Sequence, residues 1–257
     1  MAPTFRARLR AGELLVGPMI TLNSPEVVEL LAELGFDWLF IDAEHTPIGP
    51  PEIQVLLRAA GRVPAIIRLP SAEATTIGKV LDSGAAGIIV AQVNSASQAR
   101  EIVAAARYAP AGRRGRGLAR AHGYGLKLAE YSATANETVA VVVQAEHVDA
   151  VRNIREIVRV EGVDGVLVGP YDLASSLGRT GDVEHPDVKK AIAAVRAACF
   201  EAAMPIGILG LTADAVAPYI EQGFTLIIAG IDVLLIGESA RTLLDRVRRI
   251  PQPGVTR

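Results

Sequence analysis

One stretch shows the pattern that decides the fold, Gly35-Phe36-Asp37-Trp38-Leu39-Phe40-Ile41-Asp42-Ala43-Glu44-His45. Its apolar run over Phe36–Asp42 shows little alternation between polar and apolar residues, which is typical of a strand that is buried on both faces of a parallel sheet. A helical pattern over Pro25–Gly35 precedes the run, and polar side chains end it. The stretch therefore predicts a helix followed by a buried strand of an α/β protein, with polar groups at the carboxyl end of the strand.

The same alternation recurs along the chain. The apolar runs, which we interpret as strands, are Leu14–Thr21, Phe36–Asp42, Val63–Pro70, Gly87–Ala91, Val139–Glu146, Val163–Pro170, Pro205–Gly210 and Phe224–Ala229. The amphipathic stretches, which we interpret as helices, are Pro25–Gly35, Pro50–Gly61, Glu73–Gly84, Ser95–Tyr108, His147–Val160, His185–Ala203, Thr212–Gly223 and Leu234–Ile250. Eight strands alternating with eight helices predict a closed (β/α)8 barrel, with a doubly wound open sheet as the alternative.

Length and composition agree with this fold class. The chain has 257 residues, of which 50% are hydrophobic and 4% aromatic, and (β/α)8 barrels are usually close to this length. No interdomain linker stands out, so we expect a single domain over residues 1–257. The formal net charge of −2 gives no reason to expect a nucleic-acid partner.

The cysteine content and the lengths of the apolar runs indicate the cellular compartment. The one cysteine, Cys199, cannot form an internal disulfide, which favours a reducing compartment, and we interpret it as a small core residue. The first residues lack the apolar region of a signal peptide, and no apolar run reaches the ~20 residues of a membrane helix. We therefore expect a cytoplasmic protein without a membrane partner.

The longest segment that we predict to be irregular is Ala109–Glu137, between the fourth helix and the fifth strand. It contains the run Pro110-Ala111-Gly112-Arg113-Arg114-Gly115-Arg116-Gly117, which lacks the Gly-Lys-Ser/Thr ending of a phosphate-binding loop. A solvated, Arg-rich loop is favoured over phosphate binding. Its length and position indicate a subunit contact or a segment at the rim of the barrel.

Polar residues follow several of the predicted strands directly. They are Asp42, Glu44 and His45 after the second strand, Arg68 in the third, Gln144 and Glu146 in the fifth, and Gly169, Pro170, Tyr171 and Asp172 after the sixth. Each also has a structural interpretation, because an acidic residue after a strand is often a helix cap and an arginine often pairs with a structural carboxylate. Capping does not explain why they cluster, and in a (β/α)8 barrel the carboxyl ends of the strands meet at the face where catalysis occurs.

The chemistry of these residues favours a metal-assisted reaction of a 2-oxo acid. Two carboxylates on neighbouring strands suit a hard divalent cation such as Mg²⁺ or Mn²⁺, and the several His or Cys ligands of a zinc site are lacking. Arg68 suits a keto or carboxylate oxygen of the substrate. His45, three residues after Asp42 and able to form a hydrogen bond with it, suits a general base.

The lysines bear on how a carbon–carbon bond next to a 2-oxo group would be cleaved. The two possible routes use a Schiff base on a lysine or a divalent metal. A Schiff-base aldolase needs a lysine inside the barrel mouth. The four lysines are Lys79, Lys127, Lys189 and Lys190; three fall in predicted helices and Lys127 falls in the irregular segment. This distribution favours a divalent metal, for which we expect Mg²⁺, Mn²⁺ or Co²⁺.

The chain also resembles the HpcH/HpaI aldolase family, the class II pyruvate aldolases that include 4-hydroxy-2-oxoheptanedioate aldolase and 2-dehydro-3-deoxyglucarate aldolase. The resemblance spans nearly the whole chain. It rests on four motifs in order, which are Gly35–His45, Arg107–Gly115, Gln144-Ala145-Glu146 and Glu161–Leu173.

The resemblance implies a role for each candidate residue. Glu146 and Asp172 would bind the metal, His45 backed by Asp42 would act in base catalysis, and Arg68 would bind the pyruvyl oxygens. Gln144 and the segment 169–172 would lie at the substrate, and Asp82 matches an acidic position that supports the polar network. The resemblance also implies a homo-hexamer, a trimer of dimers, in which the last helix is exchanged between partners.

Other reactions and roles remain open from the sequence. A citrate-lyase-like enzyme acting on CoA thioesters and a 2-oxo acid decarboxylase are alternatives on the same scaffold, and a non-catalytic barrel is a third. The sequence departs from relatives at Gly17-Pro18-Met19-Ile20, at Ala91-Gln92-Val93 and in the extra arginines of Arg113–Gly125. Because these sites border the pocket in relatives, the aldehyde partner is not determined.

Overall fold

The computed structural model describes residues 3–250. Its eight strands are all parallel and close into a barrel in the order β1 to β8. They are β1 Leu15–Ile20, β2 Leu39–Asp42, β3 Ala65–Leu69, β4 Gly87–Val90, β5 Ala140–Ala145, β6 Gly165–Val168, β7 Ile206–Gly210 and β8 Leu226–Ile231. The predicted (β/α)8 barrel is confirmed, and the open sheet is wrong.

The helices follow the predicted alternation with some additions. They are α1 Phe5–Arg10, α2 Pro25–Glu33, α3 Pro50–Ala59, α4 Ala74–Asp82, α5 Ala96–Ala106, α6 Leu128–Thr138, α7 Val148–Ile157, α8 Pro170–Ser176, α9 Pro186–Glu201, α10 Ala213–Glu221 and α11 Asp232–Arg248. Side-chain caps set several starts: Ser24 Oγ accepts from Val27 N, and Thr212 Oγ1 accepts from Ala215 N. None of the helices in the described part of the chain is long and apolar enough to cross a membrane.

The core has two layers, one inside the barrel and one between the strands and the helices. Because both faces of each strand are covered, the strands need no polar alternation. Cys199 is fully buried in the outer layer, as predicted. Its burial raises the pKa of the thiol to about 12.

Helix α1, which the sequence analysis did not predict, closes the barrel at the amino ends of the strands. Phe5 packs against the buried Trp38 with ring centroids 5.6 Å apart. Arg6 Nε donates to Asp164 Oδ1 at 2.8 Å, and Arg107 Nη2 donates to Asp164 Oδ2 at 3.0 Å. A short isolated helix is marginal in water, so these contacts account for its stability.

The segment predicted to be irregular is partly helical. A 3₁₀ turn spans Arg120–Gly125, and α6 begins at Leu128. The prediction of a solvated Arg-rich loop is wrong for Arg114, which is buried, donates to Asp82 Oδ1 at 2.7 Å and lies 4.7 Å from the centroid of the Tyr108 ring. The tertiary contacts of one arginine therefore tie this segment to α4.

Helix α11 covers little of its own barrel. It begins at Asp232, which is its one buried residue, and its main contacts are with β8 and β1. The apolar side chains along it are exposed, with Leu243 at 64% and Val247 at 54%. In a complete barrel an eighth helix packs over β8 and β1, whereas α11 buries only Asp232 within one chain.

Candidate active site

The carboxyl ends of β2, β3, β5 and β6 bring most of the predicted polar residues to one mouth. Asp42, Arg68, Gln144 and Glu146 are all buried there. The segment Gly169–Asp172 opens α8 at the same mouth and lines a cleft together with Phe40, Arg68, Gln144, Leu209 and Ile228. The parallel sheet explains this convergence, because all its carboxyl ends lie at one face.

Arg68 is held by two carboxylates. Its Nε donates to Asp42 Oδ1 at 2.8 Å and lies 3.2 Å from Glu44 Oε2. The guanidinium carbon also lies 5.2 Å from the centroid of the Phe40 ring, within the range of a cation–π contact. Burial lowers the pKa of Arg68, but the hydrogen bond and the charges of Asp42 and Glu44 outweigh it and leave that pKa raised. Nη1 and Nη2 form no hydrogen bond with any residue from 3 to 250.

The His45 ring lies near the carboxylate of Glu44, whereas the expected partner was Asp42. The Asp42 carboxylate accepts from the backbone N of Glu44 at 3.0 Å and of His45 at 3.5 Å, and it makes no hydrogen bond to the His45 ring in the described structure. Instead, His45 Nε2 lies 3.8 Å from Glu44 Oε2. The predicted pairing of Asp42 with the imidazole is therefore not what the structure shows. The sequence shows Glu44 among the polar residues after the second strand, but its pattern predicts no role for this residue.

Glu44 lies in an environment that disfavours its charge. Burial raises the pKa of this carboxyl, with Arg68 and His45 opposing that effect and the charges of Asp42 and Asp172 adding to it. Its Oε2 is buried without a hydrogen-bond partner in the described residues. Asp42 and Glu44 share Arg68 as their partner, so these two acidic groups lie around one guanidinium.

Glu146 is the most perturbed carboxyl group of the mouth. Oε1 accepts from the backbone N of Gln92 at 2.7 Å, and Oε2 accepts from Gln144 Nε2. Burial raises the pKa of Glu146 to about 7 against the effect of these two hydrogen bonds, and the charges of Glu44 and Asp172 add to the rise. A buried acidic cluster with too little positive charge is the kind of environment that a cation stabilises.

The residue types fit a hard divalent ion. Glu146 and Asp172 supply carboxylate oxygens, and Gln144 Oε1 is a buried amide oxygen that has no partner in the described structure. Within residues 3–250 no group of three or more His, Cys, Asp and Glu is arranged to hold a metal. Mg²⁺ is commonly held by one or two carboxylates and keeps several waters, so two protein carboxylates are compatible with it.

Gly169 lies where a side chain would collide with the site. A Cβ at this position would come within 2.8 Å of Glu146 Oε2 and 2.9 Å of Glu146 Cβ. The glycine therefore lets β6 approach Glu146 closely. Tyr171 and Asp172 follow at the start of α8, where Tyr171 is exposed at the rim.

Asp82 does not join this mouth. It ends α4, and because this helix runs antiparallel to the strands, its carboxyl end lies towards the amino ends of the strands. The Asp82 carboxylate pairs with Arg114 at 2.7 Å. The expectation that Asp82 supports the polar network of the site is thus not met within one chain.

The same arrangement can be compared with known proteins. The family model described as HpcH/HpaI aldolase/citrate lyase matches residues 17–238. A hydroxypyruvate/pyruvate aldolase from Sagittula stellata is 40% identical over 239 residues, which cover 92% of this chain and 94% of that protein. A 4-hydroxy-2-oxo-heptane-1,7-dioate aldolase from Shigella sonnei is 38% identical over 250 residues, covering 96% of this chain and 95% of that protein.

A solved structure from the same family has a similar fold. The crystal structure of an HpcH/HpaI aldolase/citrate lyase family protein from Burkholderia cenocepacia J2315 superposes with a TM-score of 0.91 at 36% identity, and covers 95% of this chain and 98% of that chain. Sequence and fold similarity thus extend over almost the full length, and the protein is a carbon–carbon lyase. The chain belongs to the HpcH/HpaI aldolase/citrate lyase family.

Proposed function

We propose that this protein is a metal-dependent class II aldolase that reversibly cleaves 4-hydroxy-2-oxo acids into pyruvate, or hydroxypyruvate, and an aldehyde. One observation carries the proposal: the Arg68 guanidinium, with its terminal nitrogens free of hydrogen bonds within residues 3–250, lines the same cleft as Asp172 and as Gln144, the partner of Glu146. The curated relatives are named as aldolases of pyruvate, hydroxypyruvate and a 4-hydroxy-2-oxo acid.

The positions of the lysines support a metal route over a Schiff base. Lys79 lies in α4, Lys189 and Lys190 lie in α9, and Lys127 precedes α6. Glu146 and Asp172 would hold the ion, which we expect to be Mg²⁺, Mn²⁺ or Co²⁺. When bound, such an ion would supply positive charge opposite the negative charge that develops on the keto oxygen.

Arg68 would orient the 2-oxo acid. Its Nε is occupied by Asp42, so Nη1 and Nη2 are the donors that can reach the keto or carboxylate oxygens of a substrate. Gln144 and the backbone of Gly169–Asp172 would border the pyruvyl group on the opposite side of the cleft. A fixed guanidinium reduces the motion that substrate binding must suppress.

His45 would move the proton. In the cleavage direction the C3–C4 bond breaks, the C4 hydroxyl becomes the aldehyde carbonyl, and its proton passes to His45 directly or through water. The electron pair of the broken bond leaves as the enolate of pyruvate, which is then protonated at C3. The side chain of His45 is 61% exposed at the mouth, where a hydroxyl group of a bound substrate could reach it.

The assembly is also proposed. We infer a homo-hexamer in which α11 leaves its own barrel to cover a partner. The exposed apolar side of α11, which buries only Asp232 within one chain, supports this inference. Leu30 and Leu34 of the α2 segment are also exposed, at 63% and 65%.

Chelation tests the proposed chemistry. We expect EDTA to abolish pyruvate release from a 4-hydroxy-2-oxo acid, and Mg²⁺, Mn²⁺ or Co²⁺ to restore it. Full activity after chelation, together with covalent trapping of substrate by borohydride, would contradict the metal route. A panel of aldehydes with pyruvate and with hydroxypyruvate identifies the substrate, and CoA thioesters in the same panel test the citrate-lyase-like alternative.

A further inference from the structure

Gln92, which follows β4, has an unusual backbone. Its φ of +56° lies in the left-handed region, which residues other than glycine seldom adopt; among them Asn, Asp and His do so most often. The Gln92 side chain is exposed and forms no hydrogen bond with residues 3–250. Contacts of the side chain therefore do not account for the conformation.

The amides on either side of Gln92, just after the end of β4, point towards opposite neighbouring strands. Ala91 N donates to Leu69 O of β3 at 3.0 Å, whereas Val93 N donates to Gln144 O of β5 at 3.4 Å. In a regular strand, amides two residues apart point towards the same neighbour. Gln92 thus acts like the added residue of a β-bulge, and its own amide belongs to neither ladder.

The freed amide is directed at a carboxylate. Gln92 N donates to Glu146 Oε1 at 2.7 Å, a distance typical of a charge-assisted hydrogen bond. The other oxygen of Glu146 accepts from Gln144 Nε2. The carboxylate is therefore oriented by one backbone donor from β4 and one side-chain donor from β5.

We propose that Gln92 is a positioning residue, whose left-handed backbone aims an N–H at Glu146 and so holds that carboxylate in the orientation that binds the divalent ion. This inference rests on the proposed function of the mouth. Hydrogen bonds to metal ligands set ligand orientation, and their loss commonly weakens metal binding by about 10–100-fold.

Two substitutions at this position separate the backbone from the side chain. Gln92→Gly retains the N–H and tolerates the positive φ, whereas Gln92→Val retains the N–H but strongly disfavours that φ. In a calorimetric titration of the metal-free protein with Mn²⁺, we expect Gln92→Val to raise the Kd by about tenfold or more and Gln92→Gly to raise it by less than about threefold. An unchanged Kd in Gln92→Val, or an equal loss in both variants, would overturn the proposal.

Ala203 offers a matched control. It has a φ of +51° at the end of α9, and its amide donates to Phe200 O rather than to the mouth. Ala203→Val imposes a similar backbone penalty far from Glu146. We expect it to lower the melting temperature while the Kd for Mn²⁺ and the aldolase activity stay within about twofold of the unsubstituted protein.

Hydrogen exchange gives a second measurement that does not depend on whether Gln92→Val folds. In the metal-free protein, the peptide spanning residues 91–94 should exchange faster in Glu146→Ala than in the unsubstituted chain, since Gln92 N–H loses its acceptor. Unchanged exchange would refute the contact. If the unsubstituted protein binds no Mn²⁺, the metal part of the proposed function fails, and the exchange experiment still decides whether Glu146 holds the amide of Gln92.

Discussion

Arg68 Nε donates a hydrogen bond of 2.8 Å to Asp42 Oδ1 across neighbouring strands. The pair is almost completely buried, with side-chain exposures of 8% for Arg68 and 1% for Asp42. Removing one partner of a buried ion pair leaves the other charge uncompensated, which usually costs about 3–5 kcal/mol. The geometry fixes the guanidinium and leaves its terminal nitrogens free of hydrogen bonds within residues 3–250, as the proposed substrate contact requires.

Arg68→Lys is expected to lower kcat/KM for 4-hydroxy-2-oxo acid cleavage by about 10²-fold, because a lysine cannot bind Asp42 and a substrate oxygen with a planar fork. Pyruvate release with a coupled lactate dehydrogenase assay measures this. Arg58→Lys is the control, since Arg58 bonds Tyr124 Oη at 3.2 Å on an outer helix. A folded Arg68→Lys protein with unchanged kcat/KM would remove Arg68 from the proposed role.

Gly169→Ala is expected to weaken Mn²⁺ binding by about 10–100-fold, because the new Cβ would displace Glu146. Gly165→Ala is a matched control at the start of β6, four residues earlier, where the nearest atoms to a Cβ are 3.5 Å away. Calorimetric titration of both metal-free variants measures the difference. Equal affinities in the two variants would contradict the argument that the close approach of β6 matters for Glu146.

His45→Ala is expected to reduce kcat by at least about 10²-fold while Mn²⁺ affinity stays unchanged, because we propose that the exposed ring transfers a proton and does not bind the metal. His185→Ala is the control, as His185 Nδ1 accepts from Asp187 N at the start of α9 and the residue has no role in the proposed site. The rate of pyruvate release at saturating metal gives the kcat of each variant for this comparison. Turnover by His45→Ala at the rate of the His185→Ala control would show that another group moves the proton.

A separate prediction concerns His122, which is fully buried and whose Nε2 lies 2.8 Å from Tyr108 Oη. Burial and the charge of Arg114 lower the pKa of His122, against the charge of Asp82. The unfolded chain takes up a proton at this histidine below about pH 6.5, whereas the folded protein resists it. The contribution of neutral His122 to the free energy of unfolding is therefore present above about pH 6.5, and it is lost as the pH falls below this value.

His122→Asn removes this titration. We expect the melting temperature of the unsubstituted protein to fall more between pH 7.5 and pH 5.5 than that of the variant, by about 2–4 °C for each kcal/mol of linked stability. All other residues are the same in both proteins, so their effects on the melting temperature cancel from the comparison. Parallel pH dependences of the two melting temperatures would show that His122 is not held neutral.

The fold could be predicted because its signal is local. The run Phe36–Asp42 and its seven counterparts are apolar on both faces, and each predicted run contains or overlaps an observed strand. Helix α1 could not be predicted in this way, because six residues have little helical preference of their own. Its stability comes from contacts with distant residues such as Trp38 and Asp164.

The site could be predicted from one rule, which is that the carboxyl ends of parallel barrel strands meet at one face. The rule placed Asp42, Arg68 and Glu146 in one mouth, but it did not say which carboxylate would lie near His45. The structure gives that place to Glu44, and it pairs Asp82 with Arg114 across 32 residues of sequence. The left-handed backbone of Gln92 also has no local sequence signal, since glutamine does not favour a positive φ.

The last prediction concerns α11 and the assembly of the chain. An apolar helix side this exposed is unfavourable in a lone chain, because each large apolar side chain gains roughly 1.5–3 kcal/mol on full burial. Leu243→Asp combined with Leu244→Asp places charge on that side, and Glu238→Gln is a control on the same helix. We expect light scattering to give six times the 27.1 kDa chain mass for the unsubstituted protein and for the control, and a smaller mass for the double variant. A monodisperse monomer of the unsubstituted protein would refute the hexamer, and a double variant that remains hexameric would show that the exposed side of α11 is not the contact.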